Sequence, residues 1–136
     1  MGYIMHLRKK IGHEELLTAG TGVFPVRGGE VLLQRRADNG LWTMHGGAIE
    51  IGEVPEDAAK REFFEETGLR ANALELIGVF SGPDTRYTYP NGDKVFIVGI
   101  FYLCTDFSGE INIDPNEVRE LKWFPLGALP AVEEIS

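Results

Sequence analysis

The chain has a single cysteine, Cys104, which excludes an internal disulfide and leaves no thiol-rich metal site. Within the apolar run VFIVGIFYLCT it reads as a core residue of a strand rather than a reactive thiol. No stretch approaches the roughly eighteen apolar residues of a membrane-spanning helix. The N-terminus, MGYIMHLRKK, places its basic residues after its short apolar stretch, the reverse of a signal peptide. These absences predict a soluble, cytoplasmic protein with no membrane partner. Positive charge is scarce too: 13 Lys and Arg face 21 Asp and Glu, for a formal net charge of −8. A sequence-independent grip on phosphate backbones needs clustered cations, so no DNA binding is expected. Repeats, low-complexity tracts and long linkers are absent. With 43% hydrophobic content, the 136 residues predict one domain, 1–136, with its core at about 18–130 and an N-terminal arm over 1–15.

Strand and turn signals dominate. Leu16 to Val26 and Glu30 to Arg35 flank Arg27-Gly28-Gly29 and read as a hairpin. Gly46 to Glu50 is short and extended. Leu74 to Ser81, Lys94 to Thr105 and Glu120 to Phe124 are rich in β-branched and aromatic residues and read as strands. Gly82 to Asp93 is a turn-rich loop, and Leu126 to Leu129 is predicted as a short closing helix. One long helix stands out, Val54 to Thr67, with Pro55, Glu56 and Asp57 in its first turn and Gly68 past its end. The class is α/β (α+β) around a sheet.

Acidic residues are concentrated on that helix. At 3.6 residues per turn, Glu62, Glu65 and Glu66 fall within one arc of roughly 100°, while Ala59 and Phe63 adjoin it as a core stripe. Like charges at this spacing cost only about 0.2–0.5 kcal/mol per pair on an exposed helix, so a solvated acidic face accounts for them without a ligand. Converging carboxylates are equally what a hard divalent cation requires.

The flanking residues separate the two readings. Gly47, then five residues, Glu53, then seven residues, and then Arg61-Glu62-Phe63-Phe64-Glu65-Glu66-Thr67-Gly68-Leu69 resemble the Nudix box, G-x5-E-x7-R-E-U-x-E-E-x-G-U, where U is bulky and apolar. All seven fixed identities are present at the right spacing, with chance odds on the order of 10⁻⁸ per starting position. LLQRRADNGLWTMHGGAIEIGE and ELKWFPLGALP extend the resemblance over about Thr18 to Pro130. Two departures stand out: Phe63 is larger than the aliphatic residue usual at the first U, and Met44-His45 replaces the frequent Leu-Pro before the double glycine.

The resemblance implies a Nudix-type α/β/α sandwich with a mixed sheet, carrying the box as loop, helix and loop. It further implies metal-dependent cleavage of a nucleoside diphosphate linked to another moiety, X, by water attack on the diphosphate. Mg²⁺ or Mn²⁺ is the implied cofactor, held by Glu62, Glu65, Glu66 and the carbonyl of Gly46. Arg61 then orients the carboxylates, and Glu53 ties loop to helix. The general base is Glu62, Glu65 or a remote carboxylate, for which Glu117 is the candidate, as base or further metal ligand, with Asp114 and Glu120 as alternatives and an ordinary solvated acid the plainer reading of each. Arg36, Gly47, His45 and Tyr87 are candidates for substrate contact, although a surface ion pair for Arg36, a turn-filling His45 and a solvent-facing Tyr87 are the plainer alternatives. Pro83 and Tyr87 both lie near the family's subgroup marker, so ADP-ribose or another nucleotide sugar, a nucleoside triphosphate and a dinucleoside polyphosphate all stay open as small-molecule substrates. A non-catalytic nucleotide-binding or regulatory module is the alternative, and a homodimer is compatible with the family.

Overall fold

The structure, a computed structural model, describes residues 2–131. Its first element is a helix, α1 (Tyr3–Ile11), where the sequence predicted only an arm. Gly12 ends it with a positive φ of 65°, and the basic residues of the last turn suit the negative end of the helix dipole. The helix is docked: Glu50 accepts from the first-turn amide of Tyr3 at 2.8 Å. The buried Arg8 donates to the carbonyls of Gly12, Glu14 and Lys94. Glu50 therefore caps α1 onto the loop before the acidic helix. Met1 lies outside the described residues.

The predicted hairpin is present as β1 (Leu16–Arg27) and β2 (Glu30–Arg36), with Val26 opposite Val31. Gly28 and Gly29 make the turn at φ of 60° and 76°, where a side chain would be strained. Two short strands follow. β3 (Trp42–Thr43) pairs with β2, and β4 (His45–Ala48) crosses to β1, setting Gly46 opposite Gly22 and Gly47 opposite Thr21. Helix α2 (Pro55–Thr67) comes next, then β5 (Leu69–Phe80), β6 (Arg86–Thr88), β7 (Lys94–Gly109) and β8 (Val118–Pro125). β5 and β7 run longer than predicted. The order β3-β2-β1-β7-β5 is extended by β4 on β1, β6 on β7 and β8 on β2. β1 and β7 are parallel and the other pairs antiparallel, so the sheet is mixed and the class is α+β, as expected.

The period-2 geometry of β2 sorts its side chains between two apolar clusters. Leu32 joins Val23, Ala59, Phe63 and Phe107 beneath α2, whereas Val31 and Leu33 join Trp42 and Phe124 on the opposite face. Gln34 follows Leu32 at the same parity and so points toward α2. Cys104 is wholly buried in the α2-side core, where burial pushes its thiol pKa up, in accord with a structural role.

Leu126 to Leu129 forms a turn and not the predicted helix. The amides of Leu126 and Ala128 are taken by the carbonyls of Gly29 and Pro125, and Gly127 and Pro130 are poor helix residues. Leu126 and Leu129 instead border an apolar hollow of about 480 Å³ against Phe24, Val26, Trp42 and Met44. Residues 132–136 lie outside the described residues. Among those described, no helix is long and apolar enough to cross a membrane.

Candidate active site

Helix α2 starts on Pro55, whose fixed φ and missing N–H suit the first helical position. It stops at Gly68, which takes φ 81° and donates its amide to the carbonyl of Phe64 at 2.8 Å. Thr67 reinforces that end. Its hydroxyl donates to the carbonyl of Phe63 at 2.6 Å and accepts from the Leu69 amide at 3.0 Å. Ala59 and Phe63 are fully buried against the sheet while Phe64 stays exposed, so the acidic arc faces β4 and the loop after it.

The box residues meet there. Arg61 joins the loop to the helix, donating to Glu53 at 2.8 and 2.9 Å, to the Ala48 carbonyl at 3.2 Å and to Glu62 at 2.8 Å. Its contact with Glu65 is looser, at 3.5 Å. The Arg61 guanidinium holds the Glu53 carboxyl below the ordinary range. Burial pushes Glu62 up despite the same arginine, because its carboxylate lies deeper against the backbone of β4. A Cβ built on Gly47 would come within 2.6–2.8 Å of the Glu62 carboxylate. Glu66 accepts from the Gly46 amide at 3.1 and 3.2 Å and from the Gln34 amide at 3.1 Å. Those donors do not offset its desolvation, and burial raises its pKa to about 8.

Arg61→Lys should lower stability by ~1–2 kcal/mol in a denaturant titration, because a lysine cannot reproduce the fork that spans Glu53, Glu62 and the Ala48 carbonyl. An unchanged midpoint would remove Arg61 from its role of tying loop to helix.

The donor set is hard oxygen, which suits Mg²⁺ or Mn²⁺ and no soft metal. A desolvated carboxylate at Glu66 with no guanidinium bonded to it, together with the room that Gly47 leaves for the Glu62 carboxylate, fits a cation among Glu62, Glu65 and Glu66. Among the described residues, no three carboxyl, imidazole or thiol groups are already gathered in coordinating geometry. Arg61 draws Glu62 and Glu65 to one side and the Gly46 amide holds Glu66 on the other.

The remaining candidates lie apart. His45 is fully buried, packs on Phe63 at a ring separation of 5.6 Å, and has both ring nitrogens engaged. The alternation of β4 turns this side chain inward to α2, which favours the plainer, packing role over the expected substrate contact. Burial lowers its pKa to about 4, so the ring is neutral at pH 7. Arg36 forms a two-pronged pair with Asp38 at 2.7 and 2.8 Å, which holds the aspartate's pKa down. The guanidinium lies 5.4 Å from the Tyr87 ring, and its charge reaches Glu66, lowering that group's proton affinity. Tyr87 accepts from Asn39 at 2.8 Å and packs edge-on against Tyr89. Glu117 lies in the exposed turn before β8, its carbonyl taking the Ala37 amide at 3.1 Å. No described contact links Glu117 to the box glutamates.

Gln34 was not foreseen as a site residue. The signal available was its polarity at the end of the buried run VLL.

Comparison with known proteins agrees with this geometry. A family model described as "NUDIX domain" matches residues 16–135. A MutT-like protein of Streptomyces ambofaciens is 48% identical over 102 residues, covering 75% of this chain and 59% of the relative. An ADP-ribose pyrophosphatase of Methanocaldococcus jannaschii is 34% identical over 104 residues, covering 74% and 57%. The chain thus spans somewhat under two thirds of the length of these curated relatives. The crystal structure of a MutT NUDIX hydrolase from Burkholderia pseudomallei superposes with a TM-score of 0.73 at 32% identity, covering 85% of this chain and 88% of that one. With the box residues assembled on one loop and helix, and the family match running over nearly the whole sequence, the chain belongs to the Nudix hydrolase family.

Proposed function

We propose that the protein hydrolyses a phosphoric anhydride bond in a nucleoside diphosphate linked to a second moiety, with Mg²⁺ or Mn²⁺ as cofactor. The observation that carries this reading is the approach of two carboxylates, Glu62 and Glu66, to the same glycine pair, Gly46 and Gly47, from one face of α2.

Glu62, Glu65, Glu66 and the Gly46 carbonyl would hold the cation. When bound, it neutralises the diphosphate and makes water a stronger nucleophile at neutral pH. Arg61 restrains Glu62 and leaves Glu65 comparatively free. The Glu65 side chain is 56% exposed with one 3.5 Å contact to Arg61, so among the box residues it is best placed to take a proton from water. Glu62 is the second candidate for that base. The placement of Glu117 in an exposed turn favours an ordinary solvated acid over a ligand or base. Arg36, already neutralised in part by Asp38, offers its remaining donors to a substrate phosphate, with Tyr87 beside it as a stacking surface. The resemblance to an ADP-ribose pyrophosphatase makes ADP-ribose the first member of the substrate panel to test.

The assay is release of a nucleoside monophosphate in Mg²⁺ from a panel of ADP-ribose, other nucleotide sugars, nucleoside triphosphates and dinucleoside polyphosphates. At least one compound should turn over. A wild type that is inactive across the panel but still binds nucleotide tightly would point to the non-catalytic regulatory module.

The raised pKa of Glu66 gives this reading a pH signature. The cation requires the ionised carboxylate, so protons compete with it. Apparent Mg²⁺ affinity should rise about tenfold per pH unit below pH 8 and level off above it. Calorimetric titration between pH 6 and 9 measures this, and a flat profile would place Glu66 outside the ligand set.

A further inference from the structure

The two departures from the usual box pattern touch each other: the His45 ring packs on Phe63, and both are fully buried. Behind them runs a chain of hydrogen bonds through His45 and Gln34 to Glu66. His45 Nε2 lies 2.8 Å from the carbonyl of Leu32, which can only accept, so the proton is on Nε2 and Nδ1 is bare. Gln34 Nε2 lies 3.0 Å from Nδ1 and 3.1 Å from Glu66 Oε2, so its two N–H groups serve the histidine and the glutamate together. If the Gln34 amide were flipped, its carbonyl oxygen would meet a bare nitrogen on one side and a carboxylate on the other. If His45 took the other tautomer, its Nε2 lone pair would face the Leu32 carbonyl. The arrangement therefore has one self-consistent set of donors: Gln34 donates to both His45 and Glu66, and His45 donates to the Leu32 carbonyl.

We propose that Gln34 and His45 are positioning residues for Glu66, the imidazole setting the amide and the amide setting the carboxylate that receives the cation. This inference rests on the reading of Glu66 as a metal ligand. A proline at position 45, frequent in the family pattern, has neither a side-chain donor nor an acceptor, so this chain orients that glutamate by its own route. The Gly46 amide fixes the same carboxylate through both oxygens, and Gln34 selects Oε2. Together they determine which lone pairs remain open for a ligand. Outer partners of this kind are typically worth 10- to 100-fold in metal affinity.

The test combines wild type, Gln34→Met, His45→Phe and the double variant. Gln34→Met keeps length and removes both donors, while His45→Phe keeps a ring against Phe63. Mn²⁺ affinity, read from the loss of the free-ion electron paramagnetic resonance signal, should fall about 10-fold or more in each single variant. The double variant should fall little further, because both substitutions break one chain. KM for substrate at saturating metal should change much less than the metal affinity. In wild type at pH 7, long-range ¹H–¹⁵N spectra should show one buried histidine protonated on Nε2 only, a readout that needs no variant to fold. An Nδ1-protonated His45, an unchanged Mn²⁺ affinity in folded Gln34→Met, or fully additive losses would each overturn the proposal. A wild type that takes up no Mn²⁺ would overturn the metal reading itself, and the positioning role with it.

Discussion

Glu66→Gln is expected to lower kcat by about 10²–10³-fold, or ~3–4 kcal/mol in barrier height, while making the metal-free protein more stable at alkaline pH. The two effects have one cause. Glu66 is a desolvated carboxylate whose folded-state pKa is raised by burial to about 8 from its ordinary value of 4.5. A raised pKa means the native state binds the proton more tightly than the unfolded chain. The resulting stabilisation is fully present below pH 4.5 and is lost as the pH rises to about 8, beyond which the burial cost is constant. A neutral glutamine does not titrate, so at pH 8–9 the metal-free variant should exceed wild type by on the order of a few kcal/mol at most. The same glutamine is a poor cation ligand, and its amide group, when turned to the Gly46 amide, sets donor against donor. Denaturant midpoints at pH 5 and pH 9, measured beside kcat, check both halves. Parallel loss of activity and stability at both pH values would mean that Glu66 is a structural residue.

Gly46→Ala should have the largest effect on folding. A Cβ there would lie 1.8 Å from the Thr21 carbonyl oxygen and 2.9 Å from the Gly22 Cα, both backbone atoms of the strand that β4 pairs with. The φ at this position is not positive, so the glycine is required by close approach and not by backbone conformation. With no side chain free to yield, β4 must separate from β1, at a cost above about 4 kcal/mol. Soluble yield and the melting transition report it. Gly47→Ala provides the contrast. Its Cβ would meet the carboxylate end of Glu62 at 2.6–2.8 Å, and a flexible side chain can move. That variant should fold with a near-normal melting transition and lose activity because Glu62 is displaced. If both variants melted alike, the separation of frame from chemistry within the glycine pair would fail.

Local patterns made part of this legible from sequence. Pro55 and Gly68 bound the acidic helix, and Glu53 and Arg61, eight residues apart in the box, meet as an ion pair at 2.8 Å. The ends of β5 and β7 were underestimated because Leu69 to Ala73 and Asp106 to Gly109 are weak in β-branched residues yet are recruited by pairing with each other. Helix α1 was missed although Gly12 and the preceding basic residues mark a helix end. It is short and lacks a side-chain cap of its own, and its N-terminus depends on Glu50, 47 residues away from Tyr3. The chain from His45 through Gln34 to Glu66 was invisible for the same reason. Its members come from β4, β2 and α2, and only the register of the sheet turns them to one face. Arg36 shows the opposite case: the surface ion pair left open from sequence is made locally, with Asp38 two residues away.

The most direct test of the account is to run the reaction on the active panel compound in H₂¹⁸O with Mg²⁺ and follow the products by ³¹P NMR. Water attack on the diphosphate predicts one labelled phosphate product, formed only with metal and nearly abolished in Glu66→Gln. Turnover that continues unchanged in chelator, or products that carry no solvent oxygen, would contradict it.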